Sequence, residues 1–365
     1  MARTLFKTAA LWLALTLPLP ALAITPYELV SKVQENQGKV SFQGLRIQKL
    51  VRQSESYHAA MRVHHKDSSN LRVVIEDPGK LTNVNMWLKE NRASVFFPDE
   101  NLLFRNDNPS GASEVTATIL GQIATDTDLL YKNYNLSIVD PDKLALQALP
   151  GAIAGRECHI VDITPKDGFY VPGHRYWVAR DNFQIMREDR TWGIGIEPYF
   201  KSYYEDFAPT GTLQLEQRIP RDTNSVELKT GSKENAFVFY KTVAEAEKAL
   251  GSKLATPTVL PQGFKLAGVE VSIFYGTRMV LVSYTDGLNW LYVRYRPAPN
   301  MWVTLLAGAY ATKLVDKFME LAIQSPYNYH GAEKGDFIVF SYGDLYPEQL
   351  KKVTESIQLQ TTASR

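Results

Sequence analysis

Apolar residues recur at every second position through much of the first half of the chain. Tyr57, Ala59, Met61 and Val63 alternate with His58, Arg62 and His64. Leu71, Val73 and Ile75 repeat the pattern with Arg72 and Glu76 opposite, and Val84, Met86 and Leu88 repeat it with Asn83, Asn85 and Lys89 opposite. Ala93, Val95 and Phe97 continue it. Turns fall at Lys66–Asn70, Asp77–Lys80 and Glu90-Asn91. Side chains alternate across a strand, so this period predicts an antiparallel meander with one apolar face.

Other stretches break the period. Thr25-Pro26-Tyr27-Glu28 reads as a capping box with proline at the first helical position, followed by Leu29 and Val33 and closed by Gly38. Between Ser113 and Tyr131, Val115, Ile119, Ile123 and Leu130 predict helical pieces lying on the apolar face. Strands are expected again near Tyr134–Val139, Glu157–Thr164, Arg175–Ala179, Gln184–Glu188 and Phe200–Phe207. About eleven strands with a few helices suit a mainly β, α+β fold: a strongly curved sheet or half-open antiparallel β-barrel with a helical lid, able to enclose an apolar ligand.

Pro209 to Lys233 turns polar, and a smaller α+β unit follows. Thr242-Val243-Ala244-Glu245 is a second capping box, opening a helix to Leu250. Val269–Tyr275, Met279–Tyr284, Trp290–Arg296 and Phe337–Tyr342 read as strands, with Asp286-Gly287 as a hairpin turn. Pro347 opens a last helix through Ile357. The expected division is 24–220 for the half-barrel, 221–236 for a linker and 237–360 for the second domain.

Residues 1–23 read as a secretory signal peptide. Arg3 and Lys7 precede an apolar run from Ala9 to Leu17, and Ala21-Leu22-Ala23 is a small-x-small cleavage site. With no cysteine there, an exported protein without a lipid anchor is expected, in the periplasm. The chain has 40 basic and 39 acidic residues, a balance that argues against nucleic acid as a partner. Its single cysteine, in a chain 45% hydrophobic, leaves folding to an apolar core rather than to disulfides.

No catalytic constellation emerges, so no enzyme, metal or cofactor is expected. His64-His65 are strand neighbours pointing to opposite faces and cannot chelate one ion together. Asp126-x-Asp128 and Asp140-Pro-Asp142 suit caps and turns. Cys158 shares a face with Ile160, while His159 points away with Val161 and Ile163, so the thiol reads as a packing residue. Trp87, Phe96, Trp177 and Trp192 read as core aromatics. The candidate acyl-chain surface is Met61, Val73, Ile75, Met86, Leu88, Val95 and Phe97.

Three stretches of the second unit, Leu260-Pro-Gln-Gly-Phe264, Tyr284-Thr-Asp-Gly-Leu288 and Gly343-Asp-Leu-Tyr-Pro-Glu-Gln349, resemble in order and spacing the C-terminal domain of the RseB/MucB family. Gly155-Arg-Glu-Cys158, Tyr176-Trp-Val178 and Met186-Arg-Glu-Asp189 resemble that family's N-terminal domain, whose fold is shared with the lipoprotein carriers LolA and LolB. The resemblance implies a regulator of the envelope-stress sigma factor. Such a protein binds the periplasmic domain of a single-span anti-sigma factor, shields it from the site-1 protease, and is released by lipid or lipopolysaccharide acyl chains. It leaves self-association into a homo-oligomer open. Two segments look additional to the pattern: Asp189–Tyr204, and the apolar run Trp302–Ala311, expected to offer a partner surface. A periplasmic lipid or lipoprotein carrier is the alternative; an exported hydrolase lacks a triad.

Overall fold

The computed structural model describes residues 24–52, 55–77, 81–90, 92–106, 120–124, 126–140, 150–166, 170–193, 197–210, 219–228, 237–274, 277–297 and 327–358. Helix α1 (Pro26–Asn36) starts where the capping box predicts. Glu28 N donates to Thr25 Oγ1 at 3.2 Å and Thr25 N donates to Glu28 Oε2 at 2.8 Å, satisfying two amides the helix cannot use. Leu29, Val30 and Val33 form its buried stripe.

The first sheet is built from β1 (Phe42–Arg52), β2 (Glu55–Asp67), β3 (Asn70–Asp77), β4 (Asn85–Lys89), β5 (Arg92–Phe97) and β6 (Leu102–Asn106), which form the meander. After α2 (Thr127–Asn133) come β7 (Tyr134–Val139), β8 (Ala152–Ile153), β9 (Arg156–Pro165), β10 (Gly173–Ala179), β11 (Ile185–Thr191), β12 (Phe200–Pro209) and β13 (Asn224–Leu228). The order is β13-β6-β5-β4-β3-β2-β1-β12-β11-β10-β9-β7, with β8 on β9. The path ends at β13 and β7 without closing, giving the half-open architecture. An open sheet of this many strands must twist strongly, and that twist curls one face around its cover.

The second sheet contains β14 (Phe237–Tyr240), β15 (Lys265–Phe274), β16 (Thr277–Thr285), β17 (Trp290–Pro297), β18 (Asn328–Lys334) and β19 (Phe337–Gly343), in the order β14-β15-β16-β17-β19-β18. Helix α3 (Val243–Leu250) packs on β14 and β15, and α4 (Pro347–Glu355) on β18 and β19. Leu350 and Val353 of α4 are fully buried, worth about 2 kcal/mol each in apolar transfer.

Six strands, β1, β6, β8, β13, β14 and β18, fall outside those the sequence pattern predicts. The supposed linker contributes a strand, since β13 runs parallel to β6 with Ser225 opposite Leu103. Val226 and Leu228 do alternate with Ser225 and Glu227, but the signal is short and set in polar flanks. The pattern also gives no sign of β1. Its inward positions include Arg46 and Gln48, both buried, and these interrupt the apolar alternation from Phe42 to Leu50. Within the stretch 189–204, expected as additional to the family pattern, the end of β11 pairs with the start of β12, Arg190 opposite Phe200, and residues 194–196 lie outside the described set. Residues 302–311 lie outside the described set, as do 1–23, 113–119 and 125.

Cys158 sits in β9 opposite Ala179, only 1% exposed, and burial pushes its thiol up to about 11. His159 pairs with Val178 on the other face. A thiol that is both sealed and protonated is a poor nucleophile. The native protein should therefore leave Cys158 unlabelled by a thiol reagent at pH 8 for hours, and label it at once in denaturant. Rapid native labelling would show that β9 opens locally.

Candidate functional site

Two features of the first sheet stand out: one apolar face and one buried polar joint. Register places all seven candidate residues on the apolar face. Met61 stands opposite Ile75 and Val63 opposite Val73. Val73 stands opposite Met86, Leu71 opposite Leu88, and Met86 opposite Val95. Phe97 closes the row opposite Leu102. Directly opposed residues share a face, so the row crosses β2 to β5 without changing sides. Met61, Val73, Ile75, Leu88 and Phe97 are buried, and Met86 and Val95 are partly buried against the same cluster. Leu81, Val84 and Leu120 join that cluster.

The segment 120–124 is held by hydrogen bonds from both sides. Gln37 Nε2 donates to Gly121 O at 3.2 Å, and Tyr176 OH donates to Gln122 O at 3.0 Å. A cavity lined by Val33, Gln37, Gly38, Leu120, Gly121, Phe183, Gln184 and Ile185 holds about 10 Å³, room for one water. That cavity is too small for an acyl chain, which would enter there only by displacing its lining.

The joint is where the second sheet meets the first. The β16–β17 turn carries Asp286, whose Oδ1 accepts from Leu288 N at 3.0 Å and Asn289 N at 2.7 Å. Its Oδ2 accepts from Tyr134 OH at 2.5 Å, and Asn133 Nδ2 donates to its backbone oxygen at 2.8 Å. Asn289 Nδ2 donates to Tyr134 OH at 2.6 Å, which turns Asn289 Oδ1 toward His174 Nε2 at 3.0 Å. His174 Nδ1 lies 2.8 Å from Tyr176 OH and 3.2 Å from Glu188 Oε1. Arg190 Nε donates to Glu188 Oε1 at 2.7 Å, and its Nη1 donates to Asp344 Oδ1, just past β19 of the second sheet. Trp192 stacks between Tyr199 and Tyr346, with centroids 5.0 and 3.8 Å away. The His174–Glu188–Arg190–Asp344 chain thus runs between the two units, with His174, Glu188 and Asp344 buried and Arg190 partly buried.

Burial alone would raise the Glu188 carboxyl, but Arg190 and His174 outweigh it and hold it at about 2, below the ordinary 4.5. Asp286 and Asp344 go the other way, pushed up by burial. The sign for Glu188 follows from linkage. A depressed folded value contributes stability that is present above pH ~4.5 and lost as pH falls toward 2, about 3 kcal/mol in all. Glu188→Gln should therefore flatten the fall in stability between pH 5 and pH 2.5, measured by urea unfolding. An unchanged slope would place that acid sensitivity elsewhere.

Among the described residues no group of three or more His, Cys, Asp or Glu side chains could hold a metal ion. His65 is buried with Nδ1 2.6 Å from Val40 O, while His64 stands opposite Gln43, so the pair diverges. Asp126 caps α2, its Oδ1 accepting from Leu129 N at 2.9 Å. Asp142 lies outside the described residues. Trp177 is buried core, its Nε1 donating to Pro150 O at 2.9 Å. No described helix is long and apolar enough to cross a membrane.

The sequence reading did not single out the joint as a site, yet the stretches that carry the family resemblance supply it. Tyr284–Leu288 holds Asp286 and Gly287, Gly343–Gln349 holds Asp344 and Tyr346, Met186–Asp189 holds Glu188, and Gly263 O accepts from Asn133 at 3.4 Å. What those short strings encode is the seam between two sheets.

A two-unit β scaffold with a buried polar seam and an apolar half-open face is the class of protein these features define. It has the fold of MucB. The crystal structure of MucB covers 92% of this chain and 98% of its own, with TM-score 0.53 and 14% identity. MucB in complex with MucA(peri) covers 92% and 100%, with TM-score 0.52 and 13% identity. The MucA/MucB complex of Pseudomonas aeruginosa covers 92% and 99%, with TM-score 0.51 and 14% identity. No family model matches the sequence, and no curated protein matches it.

Proposed function

We propose that this protein is an exported periplasmic regulator that binds the periplasmic domain of a single-span anti-sigma factor, and that acyl chains reaching its half-open face release it. It acts by binding, without catalysis. The observation that carries the reading is the shape match along nearly the whole chain to MucB, which has been solved with MucA(peri) bound. Two units make the function, 24–220 and 237–360, with β13, from the stretch between them, paired to β6 of the first. Release by a lipid requires that the lipid bind the released form better than the partner-bound form. The apolar row from Met61 to Phe97 supplies the surface for that difference, and uncovering it would expose area that the partner-bound form keeps packed.

The test is titration of the purified mature protein with the periplasmic fragment of a single-span anti-sigma protein encoded beside its gene. Saturable 1:1 binding, weakened by an acyl amphiphile, is the expected result. No binding, together with release of lipoprotein from inner-membrane vesicles by this protein, would replace the reading with a lipoprotein carrier.

A further inference from the structure

The polar residue that hides β1 from the sequence pattern, Arg46, lies on the apolar face itself. It stands opposite Met61 on one side and Tyr204 on the other, in line with Ile75 beyond Met61. It is 1% exposed. Nε donates to Ser202 Oγ at 2.7 Å, Nη1 reaches Tyr204 OH at 3.5 Å, and the guanidinium lies 5.3 Å from the Tyr204 ring centroid. Among the described residues no carboxylate pairs with it. A guanidinium has five donors arranged as a fork, and this one uses two, the second at the limit of hydrogen bonding.

A buried cation with no counter-charge is costly, and an apolar side chain of equal volume commonly serves stability better. The sheet keeps the charge regardless. The wall of the small cavity meets it: a Cβ added to Gly121 would lie 3.4 Å from Ile185 and 3.7 Å from Arg46 Nη2. From Arg46 the apolar row runs outward over β2, β3, β4 and β5. At about 4.8 Å per strand, β1 to β5 spans about 19 Å, comparable with an extended long acyl chain.

We infer that Arg46 is the head-group site for an anionic single-chain amphiphile, whose carboxylate or phosphate monoester pairs with the guanidinium fork while its tail lies on Met61, Ile75, Val73, Met86 and Val95. The anion supplies the charge that the described residues do not, and the Ser202 and Tyr204 hydroxyls complete its hydrogen bonds. Selectivity then comes from the head and affinity from the tail. This rests on the acyl-chain part of the proposed function and adds a ligand class to it.

Oleate, oleyl alcohol and 1-oleoyl lysophosphatidate, each below its micelle concentration, would be titrated into the full mature protein and into Arg46→Met. Wild type should bind at least one anion tenfold or more tighter than the alcohol, and Arg46→Met should abolish that preference while binding the alcohol as wild type does. Whichever anion binds more tightly identifies carboxylate or phosphate as the head. Arg46→Met should melt no lower than wild type; if it fails to fold, Arg46→Lys, which keeps charge without the fork, should lose most of the preference. Equal binding of acid and alcohol, unchanged in Arg46→Met, overturns the head-group site and leaves the acyl surface standing. No binding of any of the three overturns both.

Discussion

Gly287→Ala is expected to destabilise the protein by about 3–5 kcal/mol, far more than an ordinary glycine substitution. Gly287 has φ +101°, a conformation that costs a residue with a Cβ about 1–2 kcal/mol. The larger part is steric. The added Cβ would lie 2.2 Å from Leu130 N, 2.7 Å from the Leu129 carbonyl carbon and 2.8 Å from Asp126 O, all backbone of the α2 turn. Backbone pinned by the Asp126 cap cannot step aside as a flexible side chain would, so the two units must separate. Gly335→Ala is the control. Its φ is +57° and nothing lies within 4 Å of the added Cβ, so it should cost only about 1 kcal/mol. Urea unfolding of both variants checks this, and equal losses would mean that the contact with α2 does not govern stability.

Arg190→Ala should cost about 3–5 kcal/mol by a different route. It strips the partner from two carboxylates, Glu188 and Asp344, each about 3% exposed and too deep for water to take over. Because Glu188 lies on the first sheet and Asp344 beside the second, the loss falls on the seam. Unfolding should therefore resolve into two transitions in calorimetry where wild type shows one. Adding Glu188→Gln and Asp344→Asn removes the orphaned charges and should recover part of the loss, a coupling that a mutant cycle measures. A loss under about 1 kcal/mol for Arg190→Ala would show the chain to be spectator polarity.

Much of the fold was legible in the sequence because strand and helix patterning is local. The meander from Tyr57 to Phe97 alternates cleanly, and Met61 through Phe97 fell on one face as the period requires. Two capping boxes fixed helix starts at Thr25 and Thr242. Asp286-Gly287 was readable as a turn. The strand Phe42–Arg52 was not readable, because Arg46 and Gln48 sit where the pattern wants apolar residues. β13 was too short and too polar in its surroundings to stand out.

The sequence by itself thus determined the strands from β2 to β5 and from β9 to β12, the starts of α1, α3 and α4, and the alternation that assigns those strands' side chains to a face. Only the tertiary structure decided which faces meet. It brought Glu188 and Arg190 to Asp344, Tyr134 to Asp286, and the Gly287 backbone against Leu130. It also left Arg46 sealed without a carboxylate among the described residues. The reason is physical. Periodicity depends on near neighbours along the chain, whereas burying a charge is tolerable or costly according to groups that folding brings in from far away, and no local pattern records them.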